Sequence, residues 1–130
     1  MPAKLSTEIS ISVKHQPGEL GRILDVLSKG GVNLLALCGY GQGDSAEILM
    51  VPQDEGKARK ALVAAGVAAT EHKVVCVTGP SGKGAGAKLA AKLAKAGVNI
   101  QHAYATTSGG GRSTAIFRVE KPEAAIKALK

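Results

Sequence analysis

The stretch PGELGRILDVLSKGGVNLLAL, Pro17–Leu37, decides the fold. Leu20, Ile23, Leu24 and Leu27 fall at i, i+3, i+4 and i+7, one face of an amphipathic helix. Pro17-Gly18 supplies a tight turn before that helix, and Gly30-Gly31 a left-handed stop after it. Upstream, Ile9, Ile11 and Val13 alternate with Ser10, Ser12 and Lys14, the period of a strand with one wet face. Downstream, Asn33 opens a second strand that reaches Tyr40, and Ala46–Val51 returns as its hairpin partner. Asp54 suits the N-cap of a second helix that turns Ala58, Ala61, Leu62 and Ala65 inward and closes at Gly66.

This unit occurs twice. Sliding the chain by 66 residues puts Gly18 on Gly84, Leu27 on Leu93, Lys29 on Lys95, and Gly31-Val32-Asn33 on Gly97-Val98-Asn99. One more residue of slip brings Ala58, Lys60, Ala61 and Leu62 onto Ala125, Lys127, Ala128 and Leu129. The extra residue falls in the hairpin, where Gly41–Asp44 is matched by the longer Ser108–Arg112. A one-residue insertion in a glycine turn costs little. Each copy reads strand, helix, strand, strand, helix, with Pro122 in the first turn of the last helix. Residues 67–78 serve as the last strand of copy one and run on into the first strand of copy two.

The order, the length and the Pro-Gly turn with Gly-Val-Asn at this spacing resemble the ACT domain, a ferredoxin-like module that binds small metabolites, most often amino acids. The resemblance covers nearly the whole chain as a tandem pair. It implies an α+β fold of two βαββαβ repeats, residues 1–70 and 71–130, with helices on one face of an antiparallel sheet. Copy two stops without its last strand. Residues 68–73, which supply that strand in copy one, correspond by the offset to residues 2–7. We therefore expect residues 2–7 to fill the gap and join the repeats into one eight-stranded sheet, removing an exposed edge.

Hydrophobic residues make up 45% of the 130, but Tyr40, Tyr104 and Phe117 are the only aromatics, so Ala, Val, Leu and Ile must build the core. No run approaches a membrane span, and the N-terminus has no apolar signal segment. Cys38 and Cys76 then read as reduced packing residues of a cytoplasmic protein. The net charge of +7 is uneven: residues 1–70 carry seven basic and seven acidic side chains, and residues 71–130 carry ten against three. That asymmetry marks either an anionic partner or a solvated face of Lys88, Lys92 and Lys95 opposite Leu89 and Leu93.

Gly18 lets a ligand approach the backbone, and the free N–H groups around Glu19, Leu20 and Gly21 can receive a carboxylate. The resemblance adds His15, Gln16, Gly18, Leu20 and Asn33 as the residues that hold an amino acid's carboxylate and amino group. The same Pro17-Gly18 also serves as a plain turn. In copy two Pro17 becomes Lys83 and Leu20 becomes Gly86. The loop Ser81-Gly82-Lys83-Gly84, with Asn99, is a second candidate site, suited to an anion. It is not a nucleotide-binding loop, because Gly84 follows Gly82-Lys83 where Ser or Thr must hold magnesium, and the upstream glycine is missing.

His15, His72 and His102 show no metal-ligand spacing, and no nucleophile, base and orienter assemble. We expect neither an enzyme nor a cofactor. The expected partners are an amino acid, a second copy in a homodimer, and a regulated enzyme. Nucleic-acid binding through the basic half is the alternative, but single-stranded RNA modules of this topology need stacking aromatics that this chain lacks. A purely structural dimerisation module is a third reading.

Overall fold

The computed structural model describes residues 2–80, 82–107 and 110–130. In chain order the elements are β1 (Ala3–Lys14), α1 (Glu19–Lys29), β2 (Leu34–Gln42), β3 (Ser45–Pro52), α2 (Glu55–Ala64) and β4 (Thr70–Pro80). They continue as α3 (Ala85–Lys95), β5 (Ile100–Thr107), β6 (Arg112–Val119) and α4 (Pro122–Leu129). The fold is α+β. Its strands are antiparallel, and their hydrogen-bonded order is β2-β3-β1-β4-β6-β5. Eight strand positions are filled by six continuous strands, because β1 and β4, at 12 and 11 residues, each serve two positions.

The chain divides into two compact units. The first is Thr7–His72, and the second is Met1–Ser6 with Lys73–Lys130. In the first unit β1 pairs with β3 (Ile9 with Met50, Ile11 with Ile48), and β2 pairs with β3 (Leu37 with Met50). In the second, β4 pairs with β6 (Val75 with Phe117), and β5 with β6 (Ala103 with Phe117). Under the sequence offset these registers are the same. Even the irregularity at Leu34/Ala36 recurs at Ile100/His102.

Each unit has its own core on the face that carries its helices. In the first, Ile9, Ile11, Ile48 and Met50 of the sheet meet Ile23 and Leu27 of α1 and Ala58 and Leu62 of α2. In the second, Val75, Val77 and Phe117 meet Leu89 and Leu93 of α3 and Ala125 and Leu129 of α4, with Ala3 packed alongside. The start of β1 belongs to this second unit, where the Pro2 carbonyl accepts the Thr78 N–H at 3.3 Å.

The helices end as the glycines direct. Gly31, at φ 72°, takes the left-handed position, not Gly30, at φ −82°. Its N–H donates to Ser28 and that of Val32 to Leu27, a Schellman closure that Gly66 and Gly97 repeat after α2 and α3. Gly30 has a different task, since a Cβ there would stand 2.7 Å from Ala61 Cβ, so α1 can lie close to α2. Asp54 caps α2 by accepting the Lys57 N–H at 3.1 Å, and Pro122 opens α4.

The alternation in β1 predicts a wet sheet face, and Ser12 and Lys14 are exposed, but Glu8 on that face is fully buried. Leu49 and Val51 of β3, and Val74, Cys76 and Ile116 in the second unit, are likewise buried on the side away from the helices. Period-2 patterning registers polarity, and these mid-strand positions are apolar on both faces.

Candidate functional site

Between the start of α1 and the β2–β3 hairpin the first unit holds a cavity of about 350 Å³. His15, Gln16, Glu19 and Leu20 line it from the β1–α1 side. Leu37, Gly39 and Gly41 line it from β2, and Ala46 and Ile48 from β3. Gly39 pairs with Ile48 and Gly41 with Ala46, so all four positions lie on the helix-bearing face. Gly39 leaves that space open, and Gly41 leaves room for the His15 ring.

The β1–α1 loop is tied to the hairpin. The His15 N–H donates to the Asp44 carbonyl at 2.9 Å, and His15 Nδ1 lies 3.2 Å from the Gly43 carbonyl. The imidazole lies directly on Gly41, where a Cβ would stand 2.3 Å from His15 Cε1. Glu19 is held by Arg22 through Nε at 3.3 Å and Nη2 at 3.1 Å. That hydrogen bond, with the guanidinium's charge, keeps the Glu19 carboxyl below its ordinary range. Glu47 pairs with Ser12 and Tyr40 and so points to the sheet face away from the helices, where its Oε2 is buried with no hydrogen-bond donor among the described residues.

The second unit repeats the cavity at the equivalent place, between α3 and the β5–β6 pair, and enlarges it to about 540 Å³. The residue exchanges account for the difference. Leu20 becomes Gly86, Glu19 becomes Ala85, Ile11 becomes Val77 and Ile48 becomes Ala115, losses of side-chain volume that outweigh the gains where Ala105, Thr107 and Ser113 replace Gly39, Gly41 and Ala46. A neighbouring cavity of about 370 Å³ shares Gly82, Ala85 and Leu89 with it and is lined by Lys83, Lys88 and Lys92.

No family model and no curated protein matches the chain. Solved structures do match it. A protein from Bacteroides thetaiotaomicron superposes with a TM-score of 0.88 at 28% identity, over 98% of this chain and 88% of the other. The ligand-free regulatory subunit of aspartate kinase from Thermus thermophilus gives a TM-score of 0.70 at 21% identity, over 98% and 93%. The corresponding subunit from Thermus flavus gives 0.62 at 22%, over the same shares. The fold is of the ACT type.

Within this ACT-type frame the residues singled out from sequence divide into three groups. His15, Gln16, Glu19 and Leu20 come together around the first cavity, and Gly82 lines the second. Gly18 and Gly84 cap α1 and α3 in the left-handed conformation, at φ 93° and 77°. Lys83 lies on the neighbouring basic cavity. Ser81 falls outside the described residues.

Asn33 and Asn99 sit at the opposite ends of α1 and α3, about 16 Å of helix from the loops. There the Asn33 carbonyl accepts the Gln53 N–H at 2.9 Å, and the Asn99 carbonyl accepts the Glu120 N–H at 3.4 Å. Both asparagines pin a strand start to the end of its hairpin partner.

Sequence reasoning missed Gly39 and Gly41. The spacing of two glycines inside a strand was the available signal for a close approach. Among the described residues no group of three His, Cys, Asp or Glu side chains gathers as a metal site. No helix among them is long and apolar enough to cross a membrane.

Proposed function

We propose that the chain is a non-catalytic regulatory module that takes a small amino acid in the cavity of the first unit. The observation that carries this reading is the cavity itself. It is built by the β1–α1 loop, left open by the missing side chain of Gly39, and recurs at the same place in the second unit. A zwitterion finds both charges answered there. The Glu19 carboxylate suits its ammonium group, and the N–H groups at the start of α1 suit its carboxylate. Its side chain would rest on Leu20, Leu37 and Ile48.

The regulatory role is supported by the ACT-type fold shared with aspartate kinase regulatory subunits. Ligand binding biases the packing of a homodimer, and through it a partner enzyme in the cytoplasm, by the difference in affinity for the two packings. Two free cysteines fit that compartment.

The test is a thermal-shift panel of the amino acids at millimolar concentration. A ligand at about a hundred times its Kd stabilises by about 2.7 kcal/mol, a shift of several degrees. Gly39→Leu, whose new Cβ meets only ordinary contact with the Glu47 carbonyl at 3.7 Å, fills the cavity and abolishes the shift. Asn33→Ala keeps it. A ligand whose shift survives Gly39→Leu binds elsewhere and refutes the site.

A further inference from the structure

The second unit differs from the first in charge as sharply as in volume. It holds eleven Lys and Arg against Glu120 and Glu123 alone, whereas the first holds six against eight. Glu120 lies with Asn99, at the far end of α3 from the cavity, and Glu123 opens α4 just beyond it. No carboxylate therefore lines the 540 Å³ cavity or its basic neighbour. The acid of the first cavity, Glu19, has been replaced by the neutral Ala85. Lys83, Lys88 and Lys92 form no ion pair among the described residues.

We infer that the second unit's cavity is a site for an organic monocarboxylate without an ammonium group: a 2-oxo acid with a branched or aromatic body. The walls Val77, Leu89, Ala105 and Ala115 take the body, in a volume typical of small-molecule sites. The hydroxyl of Ser113 accompanies the polar end, and Thr107, which faces it across β5 and β6 on the helix-bearing face, donates its own hydroxyl to the Arg112 carbonyl at 2.8 Å. Lys83 and Lys88 hold the carboxylate from the shared rim. An ammonium group entering the same space meets only cations, apolar walls and hydroxyls, and burying it without a carboxylate is costly. The module then senses two ligand classes with one duplicated scaffold. The inference extends the ligand-site reading of the first unit, and its failure is separable from that reading, because Gly39→Leu reports on the first cavity and Gly86→Leu on the second.

The discriminating pair is 4-methyl-2-oxopentanoate and leucine, which share body and carboxylate and differ only in the keto or ammonium group. Calorimetric titration of the full chain carrying Gly39→Leu leaves the second cavity as the remaining site. The oxo acid binds, about tenfold or more tighter than leucine, and its affinity falls as salt rises. Adding Gly86→Leu, which places the first unit's residue in the cavity, weakens the oxo acid about tenfold or more. Gly86 lies in α3 without a positive φ and with open space around its Cβ, so leucine there improves the helix and the variant folds. Ala85→Glu restores the missing acid and shifts the preference towards leucine. Equal binding of the two molecules, no binding of the oxo acid, or an affinity unmoved by Gly86→Leu overturns the inference.

Discussion

Replacing Gly41 by alanine separates the architecture of the first cavity from the stability of the unit around it. The new Cβ would stand 2.3, 2.5 and 2.7 Å from His15 Cε1, Nε2 and Nδ1, too close for any of them to stay. His15 is exposed, so its ring swings off the hairpin and gives up the 3.2 Å contact with the Gly43 carbonyl. The backbone bond from His15 to Asp44, at 2.9 Å, stays. Losing one exposed hydrogen bond costs about 0.5 to 1.5 kcal/mol, and the lower end applies where water takes the vacated place. Against this, alanine reduces the freedom of the unfolded chain by about 0.4 to 1 kcal/mol. The two effects nearly cancel, and the melting temperature moves by a few degrees at most, because about 1 kcal/mol corresponds to about 4 to 8 °C in a unit of this size.

What changes is the coupling between the two positions. In a double-mutant cycle by thermal or denaturant unfolding, Gly41→Ala is neutral to mildly destabilising in the wild-type background and stabilising in a His15→Ala background. An amino-acid-induced thermal shift weakens in both single variants. A loss beyond about 3 kcal/mol, or the same effect of Gly41→Ala with and without the imidazole, would refute the packing of His15 on Gly41.

Three further outcomes are expected. Leu62→Ala, at a position 2% exposed in the first unit's core, costs about 2 to 5 kcal/mol in denaturant unfolding. Deleting residues 2–6 removes the Pro2–Thr78 bond and Ala3 from the second unit's core, so it lowers the melting temperature and opens residues 73–130 to proteolysis; an unchanged melt contradicts it. Burial raises the Cys76 thiol above its ordinary 9.0, against a smaller opposing effect of Lys4. Its contribution to stability is therefore complete below pH 9 and is lost as pH rises towards the folded value. Cys76→Val flattens that decline in unfolding midpoints measured from pH 8 upward.

The helices, their glycine stops and the doubling of the unit were legible in the sequence because each rests on local chemistry. Leu20, Ile23 and Leu27 mark a face by spacing, Asp54 is a cap by its carboxylate, and Gly31 and Gly97 are fixed by a backbone angle that other residues resist. The register was legible only through the repeat. The buried side of the sheet away from the helices was not, since Leu49, Val74 and Ile116 read equally well as strand residues of either face. At the candidate site, the β1–α1 loop was found by its turn, but its opposite wall was not. Gly39 and Gly41 act by the absence of a side chain, and only the pairing of β2 with β3 brings them opposite His15. Asn33 was selected by resemblance, and its place at the far end of α1 is a matter of three-dimensional path.

The membership of β1 in both units has a consequence for synthesis. Residues 2–6 are translated before Thr7–His72, yet their neighbours on β4 and in the rest of the second unit are translated after it, while everything that Thr7–His72 needs is present once residue 72 has emerged. Vectorial folding therefore builds the first unit early and leaves the short segment Pro2–Ser6 waiting for the rest of its unit. In a circular permutant that begins at residue 73 and joins residue 130 to residue 1, that wait disappears and the order of assembly is reversed.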